Sequence, residues 1–216
     1  MALEKKYLYQ LRREYYSTGL LEEKSPQSPF KLFERWFKQA VKFKEIDPNA
    51  MVLSTIRKTR FPCSRVVLMK QMDQHRFVFF TNYKSDKGKE LDRNPRASLL
   101  FYWPKLNRQI RIEGQVFKLS FNESTEYFKT RPRQSQISAW ASEQSSVLKS
   151  RHELLERIKY FKHLYQGKVI PRPPSWGGYR FVPSQFEFWQ GQPNRLHDRL
   201  VYRHVKHQWQ LKRLFP

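Results

Sequence analysis

Five short runs of β-branched and aromatic residues between positions 51 and 119 limit the fold more than any other feature of the chain. The runs are Met51–Ile56, Cys63–Lys70, Arg76–Thr81, Ala97–Trp103 and Arg108–Leu119. Short polar segments separate most of them, and a short polar helix is predicted at Lys84–Arg93. Antiparallel neighbours can be joined by short turns, whereas parallel strands need long crossovers. We therefore predict an antiparallel meander that forms a closed or nearly closed barrel.

Periodic patterns on either side of these strands predict helices packed outside the barrel. Phe30–Lys44 carries a wide apolar stripe rich in aromatic residues, which predicts a core helix. Later helices are predicted at Asn122–Arg131, with Asn122 as its N-cap, and at Ser135–Ala141 and Arg151–Gln166. Closing strands are predicted at Tyr179–Trp189, Arg199–His204 and Gln208–Leu214. The predicted class is α+β, an antiparallel barrel with peripheral helices.

The length of the chain fits one large globular domain or two small ones, and we predict a single domain over residues 1–216. Of the 216 residues, 39% are hydrophobic and 16% aromatic, which is enough to bury a core. A short helix is predicted at 4–16, and Gly19 and the Pro/Ser segment Ser25–Pro29 follow it. We therefore expect residues 1–28 to form an N-terminal arm that docks on the body.

Cysteine use and hydropathy bear on the compartment. Cys63 is the sole cysteine, which excludes an intramolecular disulfide and favours a reducing environment. No apolar run is long enough to span a bilayer, and the first residues lack the apolar stretch of a signal peptide. The expected location is the cytoplasm, without a membrane partner.

The formal net charge of +23 indicates an anionic partner. Lysine and arginine are spread along the chain without a run of five, so no basic arm for nucleic acid is evident. Seven glycines form neither a P-loop nor a dinucleotide-binding pattern. A bound phosphate would therefore need Arg, Lys and hydroxyl ligands. A basic barrel that binds nucleic acid would explain the charge, but no stacking platform is evident, and we expect no nucleic-acid partner.

The densest group of chemically useful side chains lies near the C-terminus, in Phe188–Arg199. Arg195, His197 and Arg199 occupy alternate positions there, and alternation in a strand places side chains on one face. Such a face could bind an anion or do acid/base chemistry. The alternative interpretation is a basic edge strand after a turn.

Two further segments combine cations with polar groups. Tyr127, Arg131 and Ser135 are four apart and would share one helix face, which suits a phosphate, if Pro132 only kinks the helix. Arg65 and Lys70 bracket an apolar strand and are expected on opposite faces or at opposite ends. Taken singly, each of these features more often consists of exposed residues without a functional role.

Taken together, these segments resemble a known family. The matching motifs are Arg12-Arg-Glu-Tyr15, Arg65-Val-Val-Leu-Met-Lys70, Asn107-Arg-Gln109, Arg131-Pro-Arg-Gln-Ser-Gln-Ile137, Gln144-Ser-Ser146, Ser175-Trp-Gly-Gly178 and Glu187-Phe-Trp-Gln-Gly-Gln-Pro-Asn-Arg-Leu-His-Asp-Arg199. Their order and spacing resemble those of pyridoxine (pyridoxamine) 5′-phosphate oxidase. The resemblance extends from about Tyr7 to Pro216, and its closing motif is highly specific.

This resemblance implies a split β-barrel homodimer that holds FMN at the subunit interface. The implied reaction oxidises pyridoxine 5′-phosphate or pyridoxamine 5′-phosphate to pyridoxal 5′-phosphate. Oxygen is the implied acceptor, with hydrogen peroxide as a product and ammonia released from the amine. No metal is implied.

The resemblance also implies roles for individual residues. The FMN contacts it implies are Arg65, Val66, Val67, Leu68, Met69, Lys70, Phe80, Thr81, Lys87, Gln109, Gln144, Ser145, Trp189 and Arg199. The substrate contacts it implies are Lys70, Tyr127, Arg131 and Ser135 at the phosphate, Arg195, Leu196 and His197 at the ring, and Arg12, Arg13, Glu14 and Tyr15 as a lid. Asp47 matches a family carboxylate near the substrate, although an Asp-Pro turn would explain it nearly as well.

One departure from the family pattern bears on the cofactor. The family typically has Ser-Arg-Lys where this chain has Ser85-Asp86-Lys87, and the Arg helps to hold the FMN phosphate. We therefore predict weaker FMN affinity than is usual in the family. The departure also favours an alternative, a flavin- or pyridoxal-phosphate-binding split-barrel protein with impaired turnover.

Overall fold

A computed structural model of the protein describes residues 5–11 and 13–216. Its helices are α1 (Lys5–Gln10), α2 (Pro29–Lys42), α3 (Asp86–Arg93), α4 (Phe121–Lys129), α5 (Arg133–Ala141) and α6 (Arg151–Leu164). Its strands are β1 (Ala50–Ile56), β2 (Pro62–Leu68), β3 (Gln71–Met72), β4 (Phe77–Asn82), β5 (Arg96–Trp103), β6 (Arg108–Lys118), β7 (Trp176–Gln190), β8 (Asp198–Val205) and β9 (Gln208–Leu214). Within the described part of the chain, no helix is both long and apolar enough to cross a membrane.

The strands form one sheet in the order β2-β1-β5-β6-β7-β4-β3, with β8 on β7 and β9 on β8. The pairs β1–β2, β3–β4, β4–β7, β7–β8 and β8–β9 are antiparallel. Leu53 lies opposite Arg65 in the first of these pairs, and Trp189 lies opposite Arg199 in β7–β8. The predicted α+β class with an antiparallel sheet is confirmed.

The chain divides into two compact units. The terminal unit comprises residues 1–48, 100–112 and 185–216, and the central unit comprises residues 49–99 and 113–184. Strands β5, β6 and β7 each have residues in both units. The single domain over 1–216 stays a prediction.

Helix α2 supplies much of the core of the terminal unit. Pro29 occupies its first turn, where a missing N–H costs nothing. Phe33 packs edge-on against Phe101 at 4.9 Å between ring centroids, and Trp36 packs edge-on against Phe188 at 5.2 Å. Burial of such aromatic side chains dominates core energetics. The stripe predicted for this helix is therefore its buried face.

In the central unit, α4, α5 and the start of β7 enclose a second core of Phe128, Ile137, Ile170 and Trp176. The N-cap of α4 is Ser120 rather than the predicted Asn122. Ser120 and Glu123 form a reciprocal capping box, which satisfies two backbone donors and starts the helix earlier.

Two other elements depart from the sequence-based boundaries by three or more residues at one end. The first helix covers Lys5–Gln10 rather than 4–16. Strand β7 begins at Trp176, before the predicted Tyr179, because Gly177 and Gly178 pair with β4 there. Glycine lowers strand propensity in general, and cross-strand pairing overrides it here.

Candidate functional site

A cavity of about 560 Å³ lies in the central unit. Eleven predicted site residues line it: Arg65, Val66, Val67, Leu68, Lys70, Phe80, Thr81, Lys87, Tyr127, Arg131 and Gln144. Five residues that were not among the predicted site residues also line it: Asn82, Ser138, Ala139, Ser142 and Trp176. Met69, Ser135 and Ser145 are not in its lining, and Ser145 lies in a neighbouring groove. Arg65 and Lys70, which were expected on opposite faces or at opposite ends of the strand, both line this cavity.

The charge of the cavity lining has one sign. Arg65, Lys70, Lys87 and Arg131 contribute cations, and no carboxylate occurs among the described residues that line it. Low-dielectric walls focus the field of such a group and attract anions. The lining therefore suits a ligand with one or more phosphate groups.

The buried carboxylate of Glu90 orients the Arg65 side chain. Nη2 of Arg65 lies 2.9 Å from Oε2 of Glu90, whose side chain is only 4% exposed. The Thr55 hydroxyl donates to the same oxygen across 2.5 Å. Burial raises the pKa of Glu90, but the hydrogen bonds from Thr55 and Arg65 and the Arg65 charge outweigh it, so the pKa lies below its usual range.

Sequence reasoning missed Glu90, although a signal for it was present. Lys87, Glu90 and Leu91 are three and four apart in α3 and share a face of that helix, and all three are buried. A carboxylate on the apolar face of a helix needs a buried cation, and the structure shows that this cation is Arg65.

Lys87 and Gln144 form a second polar group at the cavity. Ser85 caps α3 and places Lys87 in its first turn. The Lys87 ammonium donates to Oε1 of Gln144 across 2.8 Å, and the Thr81 hydroxyl donates to the same oxygen across 3.0 Å. The pKa of Lys87 is lowered mainly by burial and further by the charge of Arg65. The charges of Asp86 and Glu90 raise it by a smaller amount. Gln144 can therefore offer a ligand only its amide N–H groups.

Arg131 packs against aromatic rings at another wall of the cavity. Phe80 stacks on Tyr127 at 3.8 Å and on Trp176 at 5.4 Å. The Arg131 guanidinium lies 4.6 Å from the centroid of Trp176, a cation–π contact. Its Nη1 is buried and has no hydrogen-bond partner among the described residues. Burial lowers the pKa of Arg131.

Tyr127, Arg131 and Ser135 do not share one helix. Tyr127 lies in α4, Arg131 follows its end, and Ser135 lies in α5 beyond Pro132. Pro132 therefore separates two helices instead of kinking one. Tyr127 and Arg131 nevertheless meet at the cavity wall.

The terminal unit carries a second group of predicted site residues around His197. The His197 ring lies 4.6 Å from Trp189 and 5.6 Å from Tyr15 between centroids. Arg199 donates from Nε to Oε1 of the buried Glu187 across 2.9 Å. Arg111 contacts the other oxygen of Glu187 at 3.1 Å. Glu187 therefore orients Arg199 and offsets part of its charge.

The prediction that Arg195, His197 and Arg199 alternate along one strand face is wrong. Residues 193–195 form a single 3-10 turn, and β8 begins at Asp198. Asn194 and Arg195 both have left-handed backbone, with φ of 57° and 64°. Non-glycine residues rarely adopt this conformation, and Arg195 lies in a turn before the strand rather than within it.

Part of the predicted lid packs against this turn. Oε2 of Glu14 accepts from the backbone N–H of Asn194 across 3.2 Å, and Tyr15 lies edge-on to Trp189 at 5.9 Å. The Arg13 guanidinium donates to the Pro104 carbonyl across 3.3 Å. Arg12 lies outside the described residues.

Four other positions singled out in the sequence, Asp47, Gln109, Leu196 and Asp86, lie outside the lining of the cavity. Asp47 is exposed and has left-handed backbone (φ 47°) just before Pro48, as a turn residue does. Gln109 is half-buried in β6, and Leu196 is exposed beside His197. Asp86 is exposed and lines a groove with Arg57, Lys58, Lys89 and Arg93 rather than the cavity.

Comparison with known proteins decides the family. Residues 37–165 match the family described as pyridoxamine 5′-phosphate oxidase. The chain belongs to this family.

Residues 176–216 match a second family description, the C-terminal dimerisation region of pyridoxine 5′-phosphate oxidase. A pyridoxine/pyridoxamine 5′-phosphate oxidase of Paraburkholderia xenovorans is 52% identical over 207 residues, which cover 94% of this chain and 97% of the relative. One of a Cyanothece species is 48% identical over 206 residues, which cover 95% and 97%. The prediction that the chain is an enzyme of the pyridoxamine 5′-phosphate oxidase family is confirmed.

Two solved structures support the fold. PhzG from Burkholderia lata 383, in complex with tetrahydrophenazine-1-carboxylic acid, has a TM-score of 0.86 and 32% identity, covering 92% of this chain and 98% of that one. A pyridoxamine 5′-phosphate oxidase-related, FMN binding protein from Nostoc punctiforme has a TM-score of 0.69 and 14% identity, covering 89% and 100%. The predicted split-barrel class of this oxidase family is confirmed.

Proposed function

We propose that the protein oxidises pyridoxine 5′-phosphate or pyridoxamine 5′-phosphate to pyridoxal 5′-phosphate with FMN as cofactor. Oxygen is the proposed acceptor, and hydrogen peroxide and, from the amine, ammonia are the further products. The observation that carries this proposal is the cavity with four cations and no carboxylate in its described lining. Substrate and cofactor in this reaction are both phosphate monoesters, which such a lining suits.

The residues present fit FMN by the chemistry of their donors. Arg65 and Lys87 supply cations for its phosphate, and Gln144 and Thr81 supply neutral polar groups beside them. The further proposed contacts are Val66, Val67, Leu68, Met69, Lys70, Phe80, Ser145, Gln109, Trp189 and Arg199. When bound, FMN supplies the acceptor for the hydride that the substrate loses. Gln109 and Arg199 would stabilise negative charge on the flavin.

The proposed phosphate receptor for the substrate consists of Lys70, Tyr127, Arg131 and Ser135. Arg131 carries the strongest support, because its buried Nη1 has no partner among the described residues and its guanidinium lies over the Trp176 ring. An unpaired buried donor is costly, and a phosphate oxygen would remove that cost. A planar guanidinium can also bind phosphate through two parallel hydrogen bonds.

Arg195 and His197 are proposed to hold the substrate ring, with Leu196 between them. Asp47 is retained as a proposed site residue, although its exposure supports the turn interpretation. The arm 1–28, with Arg12, Arg13, Glu14 and Tyr15, is the proposed lid. The Glu14–Asn194 hydrogen bond supports this role, because it connects the arm to the turn that carries Arg195.

We expect orientation to matter more than general-base work in this reaction. Hydride transfer needs the reacting atoms in near contact, so a residue that fixes the ring plane affects turnover strongly. Arg195 can lie flat against a ring, which lysine cannot do. Arg195→Lys should therefore reduce kcat severely and leave FMN bound, as measured by steady-state kinetics and flavin absorbance. Unchanged turnover would remove Arg195 from the mechanism.

The visible spectrum of the purified protein tests the function itself. Flavin absorbance should bleach when pyridoxine 5′-phosphate is added without oxygen and should return in air. A flavin that binds but does not bleach would favour the alternative, a flavin- or pyridoxal-phosphate-binding split-barrel protein with impaired turnover. The Asp86 departure is the feature that favours this alternative.

We also propose a homodimer with FMN at the subunit interface. The match of residues 176–216 to a dimerisation region supports it. Sedimentation equilibrium should give twice the chain mass of 26.4 kDa. A monomer that retains flavin and turnover would contradict this assembly.

A further inference from the structure

One nitrogen of the His197 ring has a defined partner. The backbone N–H of Gln192 donates to Nδ1 of His197 across 3.1 Å. A neutral imidazole carries a single N–H, so a ring that accepts at Nδ1 holds its proton on Nε2. This contact therefore determines which ring nitrogen can donate a hydrogen bond.

The segment that supplies this N–H is itself anchored. The side-chain amide of Gln192 donates to Oδ2 of Asp198 across 2.5 Å. Oδ2 also accepts from the backbone N–H of Leu20 at 3.0 Å, and Oδ1 accepts from Arg213 at 2.6 Å. The Asp198 side chain is 16% exposed, so these bonds are shielded from competing water. Asp198 therefore fixes the position from which Gln192 reaches the ring.

The surroundings of His197 disfavour its charged form. An imidazolium would direct a second N–H at the Gln192 N–H, and two donors cannot bond to each other. Burial first, and then the Arg195 charge, lower the pKa of His197, while Glu14 opposes them. The other faces of the ring meet the neutral rings of Tyr15 and Trp189. The hydrogen bond from the Gln192 N–H and the lowered pKa both favour the neutral imidazole.

We propose that Gln192 and Asp198 are positioning residues that keep His197 as a neutral donor through Nε2–H, aimed at an anionic oxygen of the substrate. The substrate part of this inference rests on the proposed function. An ionised ring oxygen and a phosphate oxygen share the required chemistry. A histidine held as the other tautomer would present a lone pair and would repel either oxygen.

The tautomer can be measured directly. Nitrogen-15 NMR of the histidine-labelled holoenzyme, assigned with His197→Gln, should show a protonated Nε2 and an unprotonated Nδ1 at neutral pH. A protonated Nδ1 would overturn the proposal. This measurement needs no turnover, so it stands apart from any failure of the proposed function, which would appear as no oxidation of either substrate.

Gln192→Ala tests the positioning role, with Gln210→Ala as the matched control, because Gln210 is an exposed residue of β9. Loss of the Asp198 anchor should mix the two tautomers and move the acidic limb of kcat/KM to higher pH. KM for pyridoxine 5′-phosphate should rise about tenfold, as expected for a weakened hydrogen bond to a charged group. Gln210→Ala should match the parent. An unchanged tautomer and pH profile in Gln192→Ala would refute the role.

Two further arms complete the test. Asp198→Asn is the second variant, for use if Gln192→Ala folds poorly. It should shift the tautomer population and the acidic limb of kcat/KM in the same directions as Gln192→Ala. No shift in either variant would refute the proposal. His197→Gln keeps an amide donor and should abolish the acidic limb. Inorganic phosphate, pyridoxine 5′-phosphate and a substrate analogue without the ring hydroxyl, each titrated against parent and His197→Ala, identify the oxygen. All three lose affinity if His197 donates to the phosphate, and only pyridoxine 5′-phosphate does if His197 donates to the ring oxygen. If pyridoxine 5′-phosphate loses no affinity, the substrate part of the proposal is wrong.

Discussion

Glu90 shows how one buried carboxylate can control a cation that faces a ligand. It reduces the positive charge near the cavity, which by itself would weaken anion binding. It also holds the Arg65 guanidinium in one orientation through a 2.9 Å ion pair. A pre-ordered side chain avoids an entropy cost of about 0.5–1.5 kcal/mol when the ligand binds. We expect the orienting effect to dominate, because the Arg65 side chain is only 18% exposed and has little room to reorient usefully.

Glu90→Gln should therefore lower FMN affinity about tenfold and destabilise the protein by about 3 kcal/mol, since breaking a buried pair leaves an uncompensated charge. Fluorescence titration of apoprotein and urea unfolding measure the two effects. The folded pKa of Glu90 is lowered, so its contribution to stability is complete above the ordinary carboxyl pKa of about 4.3 and is lost as pH falls through the folded pKa. The variant should lack this acid-dependent loss.

Glu126→Gln is the matched control for this prediction. Its carboxylate pairs with Lys129 on the surface of α4, with 71% of the side chain exposed. Such pairs contribute little, so stability and FMN affinity should stay near those of the parent. Tighter FMN binding in Glu90→Gln would show that net charge outweighs orientation.

Asp86 is the second residue whose effect on FMN can be tested. Its exposed position in a groove outside the cavity weakens the repulsion that the sequence alone suggests, because solvent screens exposed charges. We expect Asp86→Arg to tighten FMN binding by less than about tenfold, and by less still in high salt. Asp86→Asn separates lost repulsion from added attraction. FMN affinity equal to that of the parent in both variants would refute the predicted weakening.

At the scale of elements, the placement of α3 depends on a close approach that only glycine allows. A Cβ on Gly88 would lie 2.0 Å from the Tyr83 carbonyl oxygen, which belongs to the backbone and cannot turn aside. Gly88→Ala should displace the helix that carries Lys87 and Glu90. We expect a loss of about 3 kcal/mol in stability and weaker FMN binding, measured by denaturant unfolding and titration.

Lys89→Ala serves as the control for α3, since Lys89 is exposed on the same helix. Its stability should change by no more than about 0.5 kcal/mol. If Gly88→Ala behaves in the same way, the close approach is not a constraint on the helix.

The elements also show what the sequence could predict. The α2 stripe was predictable because helical periodicity is local and Phe33 and Trp36 fall on one face. The turn at Asn194 and Arg195 was not, because left-handed backbone at two non-glycine residues is imposed by packing and leaves no mark in a pattern of alternate cations. Glu90 and Glu187 were missed for a related reason. A buried carboxylate is recognised by its partners, which come from distant parts of the chain.

For the whole molecule, the net charge of +23 exceeds what binding one phosphate requires. A field of this sign would raise the encounter rate with anionic FMN and substrate, and salt would screen it, since the Debye length is about 10 Å at 0.1 M and about 3 Å at 1 M. We expect kcat/KM for pyridoxine 5′-phosphate to fall several-fold between low and high salt, with kcat little changed.

Riboflavin, which lacks the phosphate, is the control for cofactor capture: its association rate with apoprotein should depend on salt much less than that of FMN. Equal salt dependence for the two flavins, or a salt-independent kcat/KM, would exclude steering and leave the charge to some other role.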